Sequence, residues 1–183
     1  MENLMSSLNI VLYPDDPLTR RADPVPETRF GLRLQMFARR MLETMERMEG
    51  VGLAAPQIGR AWRMFVMREP DGEPLVFVNP EILAMDGEQT GDEGCLSLPG
   101  LFGPVTRAQR VHVRALDPKG RPFELEAEGF AARIIQHEYD HLDGIVFLDR
   151  MDVFSREAAL REWEQQRAIL EAERNNPARA ARP

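Results

Sequence analysis

The chain has 183 residues, with 23 basic and 30 acidic side chains, three histidines and one cysteine. That length suits one domain with a real core, and 43% apolar residues exclude a disordered chain. The net charge of −7 argues against nucleic acid as a partner, one cysteine excludes an internal disulfide, and no apolar run nears the ~20 residues of a membrane span.

No basic segment followed by an apolar one opens the chain, so no signal peptide is expected. Lys119 is the only lysine, in a turn-like Asp117-Pro118-Lys119-Gly120, which makes Schiff-base chemistry improbable. The cysteine and the histidines are left as the residues to watch.

Residues 1–27 are irregular and proline-rich, with a short turn expected at Asp15-Asp16-Pro17. Phe30, Leu34, Phe37, Met41, Met45 and Met48 then recur at helical spacing. A helix is expected from Thr28, as N-cap, to Gly50. Residues 50–60 form a glycine- and alanine-rich loop. Strands are expected at 63–68, 75–79 and 81–85, with turns at Pro70-Asp71-Gly72 and Asp86-Gly87. Residues 91–104 are rich in glycine and proline and hold the cysteine. A hairpin of 110–116 and 122–127 follows, turning at 117–120.

A second helix is expected over 129–144, closed by Gly144. Ser155 is expected to cap a third, 155–174, with a Glu157–Arg161 pair and a thin apolar stripe of Leu160, Trp163 and Leu170. Residues 175–183 read as a frayed tail. No repeat or second domain is visible, so 1–174 reads as one domain.

The strongest chemical signal is His137-Glu138-Tyr139-Asp140-His141 in the second helix. Histidines at i and i+4 share a helical face and can ligate one metal ion, and the glutamate between them can act as general base. A catalytic site of this kind needs a third ligand. The His-x-x-Gly-x-x-His continuation fails at Phe147. Glu157, Glu162 and Glu164 lie on a helix whose charges suit solvent, which leaves a zinc endoprotease as a weak alternative.

Cys95, in Glu93-Gly94-Cys95-Leu96-Ser97, is the remaining candidate. Taken alone, a single cysteine reads as a small buried apolar residue. Gly50-Val51-Gly52-Leu53-Ala54-Ala55-Pro56-Gln57 lacks the Lys and Ser/Thr of a phosphate loop. It reads either as a tight turn or as a backbone edge for an extended ligand, with Gln57 a fixed amide donor.

Together, residues 50–57, 93–97 and 136–144 resemble the three ordered motifs of the peptide deformylase family: Gly-φ-Gly-φ-Ala-Ala-x-Gln, Glu-Gly-Cys-φ-Ser and Gln-His-Glu-x-Asp-His-φ-x-Gly, where φ is apolar. The resemblance implies an α+β fold, with antiparallel strands around a central metal-bearing helix and flanking N- and C-terminal helices. It implies removal of the formyl group from formyl-methionyl nascent chains in the cytoplasm. A paralogue that binds formyl peptides without turnover is the other alternative.

By resemblance, Cys95, His137 and His141 would be the metal ligands and Glu138 the acid/base. Gln57 and the Leu96 N–H would hold the oxyanion. The ion would be Fe²⁺, with Zn²⁺, Ni²⁺ or Co²⁺ able to replace it. Gly52 would pair with the substrate backbone, and Val51, Phe130, Ile134 and His137 would line the methionine pocket. Arg133 would stand at its mouth or in an ion pair, and Glu93 would pair with Arg107. The chain departs from the family at 98–103, where many members carry an acidic residue and then an arginine. Residues 155–174 hold four arginines and five glutamates, so the ribosome is only a weak partner expectation. No membrane or nucleic-acid contact is expected.

Overall fold

A computed structural model describes residues 8–69 and 72–175. Helix α1 (Leu32–Arg47) leads into a short strand β1 (Gly52–Ala54), a 3₁₀ turn (Ala55–Ile58) and β2 (Met64–Met67). Then come β3 (Leu75–Asp86), β4 (Gln89–Cys95), β5 (Leu98–Arg107), β6 (Arg110–Leu116) and β7 (Pro122–Glu128). Helix α2 (Gly129–Leu142), a 3₁₀ turn (Phe147–Arg150) and α3 (Val153–Asn175) complete the chain. Five strands form an antiparallel sheet in the order β1-β2-β3-β6-β7, and β4 and β5 form a separate hairpin. The α+β expectation holds, with α2 packed between the sheet and the hairpin.

Three apolar clusters hold these layers together. Phe65 and Phe77, stacked at 4.5 Å, join Val113, Ala132, Ile135 and Leu142 between the sheet and α2. Leu34, Ala38, Met41 and Met45 of α1 pack on Leu53, Met64 and Val66. Met41 and Met45 of the methionine stripe are therefore core, where an unbranched thioether fills irregular gaps, while Met48 is exposed and lines the cleft between β1 and the hairpin. Leu98, Leu101, Val105, Phe147 and Trp163 form the third cluster beneath α3.

Several boundaries differ from expectation. Thr28 lies in a 3₁₀ turn (Glu27–Arg29) rather than capping α1, whose N-cap is Gly31. Segments 75–79 and 81–85 are one strand, because Asn79 takes φ +50° and the register with β6 shifts between Val78 and Glu81. The shift admits Pro80, which has no N–H for a ladder. α3 starts two residues early: the Asp152 carboxylate accepts the N–H groups of Phe154 (3.0 Å) and Ser155 (3.1 Å), so Asp152 is the cap and Ser155 is not. The turn at Pro70-Asp71 and the tail beyond Asn175 lie outside the described residues. No described helix is long and apolar enough to cross a membrane.

The glycine- and proline-rich residues 91–104 fall largely within β4 and β5. β4 and β5 pair from Gln89↔Arg107 to Gly94↔Phe102, with an irregularity that brings Cys95 opposite Leu98. On β5, Leu101, Gly103, Val105 and Arg107 are buried while Phe102, Pro104 and Thr106 are exposed. Glycines and prolines at six of the fourteen positions from 91 to 104 hide the period-two pattern.

Candidate metal centre

Helix α2 runs through the core, and ten of its residues are buried, including the whole stretch Ala132–Glu138. A helix sealed on most sides carries polar residues only where they have partners or work to do. His137 and His141 sit one turn apart, with ring centroids 5.0 Å apart and planes at 80°. The β4–β5 hairpin brings Cys95 to them, its Sγ 3.3 Å from His141 Nε2. One ligand atom from each of Cys95, His137 and His141 lies within 4.8 Å of the others. Among the described residues no other such group is present, and Glu157, Glu162 and Glu164 are exposed on α3.

The surrounding charges orient this set. Glu93 is 5% exposed, and its carboxylate accepts from Arg107 Nε (2.9 Å) and Nη2 (3.0 Å), Arg133 Nη1 (2.7 Å) and His137 Nδ1 (2.8 Å). Burial alone would raise its pKa, but the hydrogen bonds from His137 and Arg107 outweigh burial and hold it well below the usual range. An ionised Glu93 makes His137 Nδ1 the donor, which leaves Nε2 for the metal. Asp140 takes the third side of Arg107 and a two-pronged contact from Arg150 at 3.0 and 2.6 Å. Burial holds His141 well below its ordinary pKa, so its imidazole is neutral, as ligation requires. A half-buried thiol, two imidazoles and a fixed tautomer fit a divalent transition ion.

Glu138 is buried, and its Oε2 has no hydrogen-bond partner. Desolvation pushes its pKa up to about 7. The neighbouring β1 admits it only because residue 52 is glycine: a Cβ there would meet Glu138 Oε1 at 2.2 Å. Gln57 is oriented from within its own turn, since its Oε1 accepts the Ala54 N–H at 2.7 Å. Its Nε2 is thereby aimed at Cys95 Sγ, 3.3 Å away.

These groups open into a cleft of about 530 Å³ between the β1 edge and the hairpin. Its walls include Val51, Leu96, Phe130, Ile134 and Arg133.

A family model for polypeptide deformylase matches residues 7–157. The chain belongs to the polypeptide deformylase family. It is 46% identical over 164 residues to the peptide deformylase of Alkalilimnicola ehrlichii, covering 88% of this chain and 91% of that protein. With the Clostridium botulinum deformylase it shares 51% over 146 residues, or 80% of this chain and 97% of that one. The crystal structure of a peptide deformylase from Legionella pneumophila superposes with a TM-score of 0.83 at 38% identity, covering 97% of this chain and 100% of that one. The deformylase of Thermus thermophilus gives 0.75 at 45% identity, covering 93% and 95%.

The stretch 98–103, where a departure from the family was expected, lies in β5. Leu101 is buried in the cluster beneath α3, while Phe102 is 69% exposed at the cleft rim. Phe102 lies over Gly94, where a Cβ would meet its ring at 2.5 Å. Arg133 lines the cleft, but its donors go to Glu93, the Val105 carbonyl (3.0 Å) and the Gln89 carbonyl (3.2 Å). Both expected settings are present, since Arg133 lines the cleft and makes the ion pair with Glu93. Sequence reasoning missed Asp140 and Arg150, which extend the Glu93–Arg107 pair to the surface. The available signal was an acidic residue at the fourth position of the histidine pentad, inside a helix too buried to leave it unpaired. His112, the remaining histidine, contacts Glu124 at 2.9 Å on the β6–β7 ladder, away from the centre.

Proposed function

We propose that this chain removes the N-terminal formyl group from formyl-methionyl nascent polypeptides and releases formate. The observation that carries the reading is the unpartnered Oε2 of Glu138 beside the Cys95–His137–His141 cluster, in a cleft that opens along the edge strand β1. A divalent ion held by these three ligands would supply Lewis acidity to the formyl carbonyl and to the attacking water. Fe²⁺ is our assignment, with Zn²⁺, Ni²⁺ and Co²⁺ able to take the same donors.

This chain's residues do the rest. Glu138 takes a proton from water as the C–O bond forms at the formyl carbon. It returns that proton to the amine nitrogen as the C–N bond breaks. A pKa near neutrality suits both halves of that transfer. Gln57 Nε2 and the Leu96 N–H donate to the developing oxyanion.

Gly52 pairs with the substrate backbone as an added strand. Val51, Ile134 and Phe130 offer the apolar wall for a methionine side chain, while Arg133 stiffens that wall through Glu93. We place all of this in one catalytic domain. A reducing cytoplasm, where a lone thiolate ligand survives, is the compartment that suits it.

Anaerobic assay with formyl-Met-Ala and parallel metal analysis tests the reading. One metal per chain and release of formate are expected, and a metal-loaded chain that binds the peptide without turnover would establish the non-catalytic paralogue. Glu138→Gln should keep the metal and lower kcat by about 10³-fold. Near-normal turnover in that variant would remove Glu138 from the mechanism. Cys95→Ala should lose most of its bound metal, measured after gel filtration.

A further inference from the structure

The segment ahead of α1 is tied to both sides of the site. The Val11 N–H donates to the Gln57 carbonyl at 2.8 Å, and the Tyr13 N–H donates to the Ser97 carbonyl at 3.0 Å. Those two backbones carry the oxyanion donors assigned above: Gln57 itself, and Leu96 next to Ser97. Residues 11–13 therefore form a crosspiece between the 3₁₀ turn after β1 and the β4–β5 hairpin.

Helix α3 grips this crosspiece from outside. Trp163, 2% exposed, donates its indole N–H to the Tyr13 carbonyl at 3.0 Å. Arg167 meets the Asp15 carboxylate at 2.7 Å, and Gln166 donates to the Pro99 carbonyl at 2.6 Å. The Trp163 ring belongs to the cluster against which Tyr13 and Cys95 pack. Apolar contact alone would suffice to attach a helix. Here three successive polar contacts on one face go to the two segments that flank Leu96 and Gln57.

We propose that α3 is a clamp on the oxyanion hole. Trp163, acting through Tyr13, is a positioning residue that fixes the gap between Gln57 Nε2 and the Leu96 N–H. The proposal rests on the deformylase reading. Donors aimed at a transition-state oxyanion lose their effect with small displacements. The backbone N–H bonds of residues 11–13 go to Gln57 and Ser97, and none goes to Gly52 or to Val51, Phe130 and Ile134 of the apolar wall. A loosened clamp should therefore cost kcat and spare KM.

Trp163→Phe keeps most of the ring packing and deletes the N–H. In the metal-loaded enzyme acting on formyl-Met-Ala, kcat should fall about tenfold with KM within about twofold, and one metal per chain retained. A peptide phosphonate that mimics the tetrahedral state should weaken by the same factor, while the product Met-Ala binds as before. Arg167→Met, at the surface, should give the same pattern at about threefold, and serves if Trp163→Phe does not fold. Variants that turn over like the parent would overturn the clamp, and so would a loss confined to KM. Amide exchange separates the two readings. Exchange at Tyr13 should quicken in Trp163→Phe whatever the substrate, and an unchanged rate overturns the clamp. A parent inert towards formyl-Met-Ala overturns the deformylase reading alone.

Discussion

Gly52 and Glu138 occupy space that neither could share with a larger neighbour. A methyl group at position 52 would overlap the Glu138 side chain from Cγ to Oε1, at 2.8 to 2.2 Å. Backbone relaxation is limited because β1 is buried along its whole length and paired with β2 at all three residues. The carboxyl must give way, and it is the group to which we assign the proton transfer. Gly52→Ala should therefore lower kcat/KM by about 10²-fold or more while metal content stays at one per chain. Steady-state kinetics with metal analysis checks this. Retained activity would mean that Glu138 works from a different rotamer. The same crowding explains why burial dominates the Glu138 pKa: the glycine brings backbone rather than solvent against the carboxyl.

At the scale of elements, α2 and the hairpin are joined by a chain of charge that runs from Arg150 through Asp140, Arg107 and Glu93 to His137. A buried pair of this kind is costly to break, because the remaining charge is left without a partner. Glu93→Gln should destabilise the protein by about 3–5 kcal/mol at neutral pH, measured by urea unfolding. The pH dependence has a definite sign. The folded-state pKa of Glu93 is depressed, so its contribution is present above the ordinary value of 4.5 and is lost as pH falls below it. The gap between parent and Glu93→Gln should narrow on acidification. A gap that stays constant from pH 7 to pH 3 would remove Glu93's ionisation as its source.

The pentad on α2 was readable because helical spacing and ligand spacing coincide, and α1 was readable from its apolar stripe. The hairpin that delivers Cys95 was not, since Gly91, Gly94, Gly100 and Pro104 carry no side-chain alternation. The crosspiece at 11–13 was equally hidden, because its contacts are made by backbone groups, which every residue has. Asp152 escaped notice because Ser155, another good cap, stands three residues further on.

For the whole molecule, the metal is expected to count as a folding contact as well as a catalyst. Cys95 comes from the hairpin and the two histidines from α2, so one ion would link two elements that meet mainly through charged groups. Free ion at a thousand times its dissociation constant adds about 4 kcal/mol of stability. Chelation should therefore lower Tm by on the order of 10 °C in a chain of this size. Once the ion is stripped, Glu138 leaves its own signature. Its folded-state pKa is raised from 4.5 to about 7, so the folded protein holds the proton more tightly than the unfolded one. Stability should fall as pH rises from 4.5 to about 7 and level off above, since each step charges a carboxyl that burial disfavours. Metal-free Glu138→Gln lacks that group. Its Tm relative to the metal-free parent should climb across the same interval, as followed by calorimetry at fixed ionic strength. Parallel pH profiles for the two proteins would show that Glu138 is already solvated when the ion is gone, and that the cleft, rather than the ion alone, rearranges on metal loss.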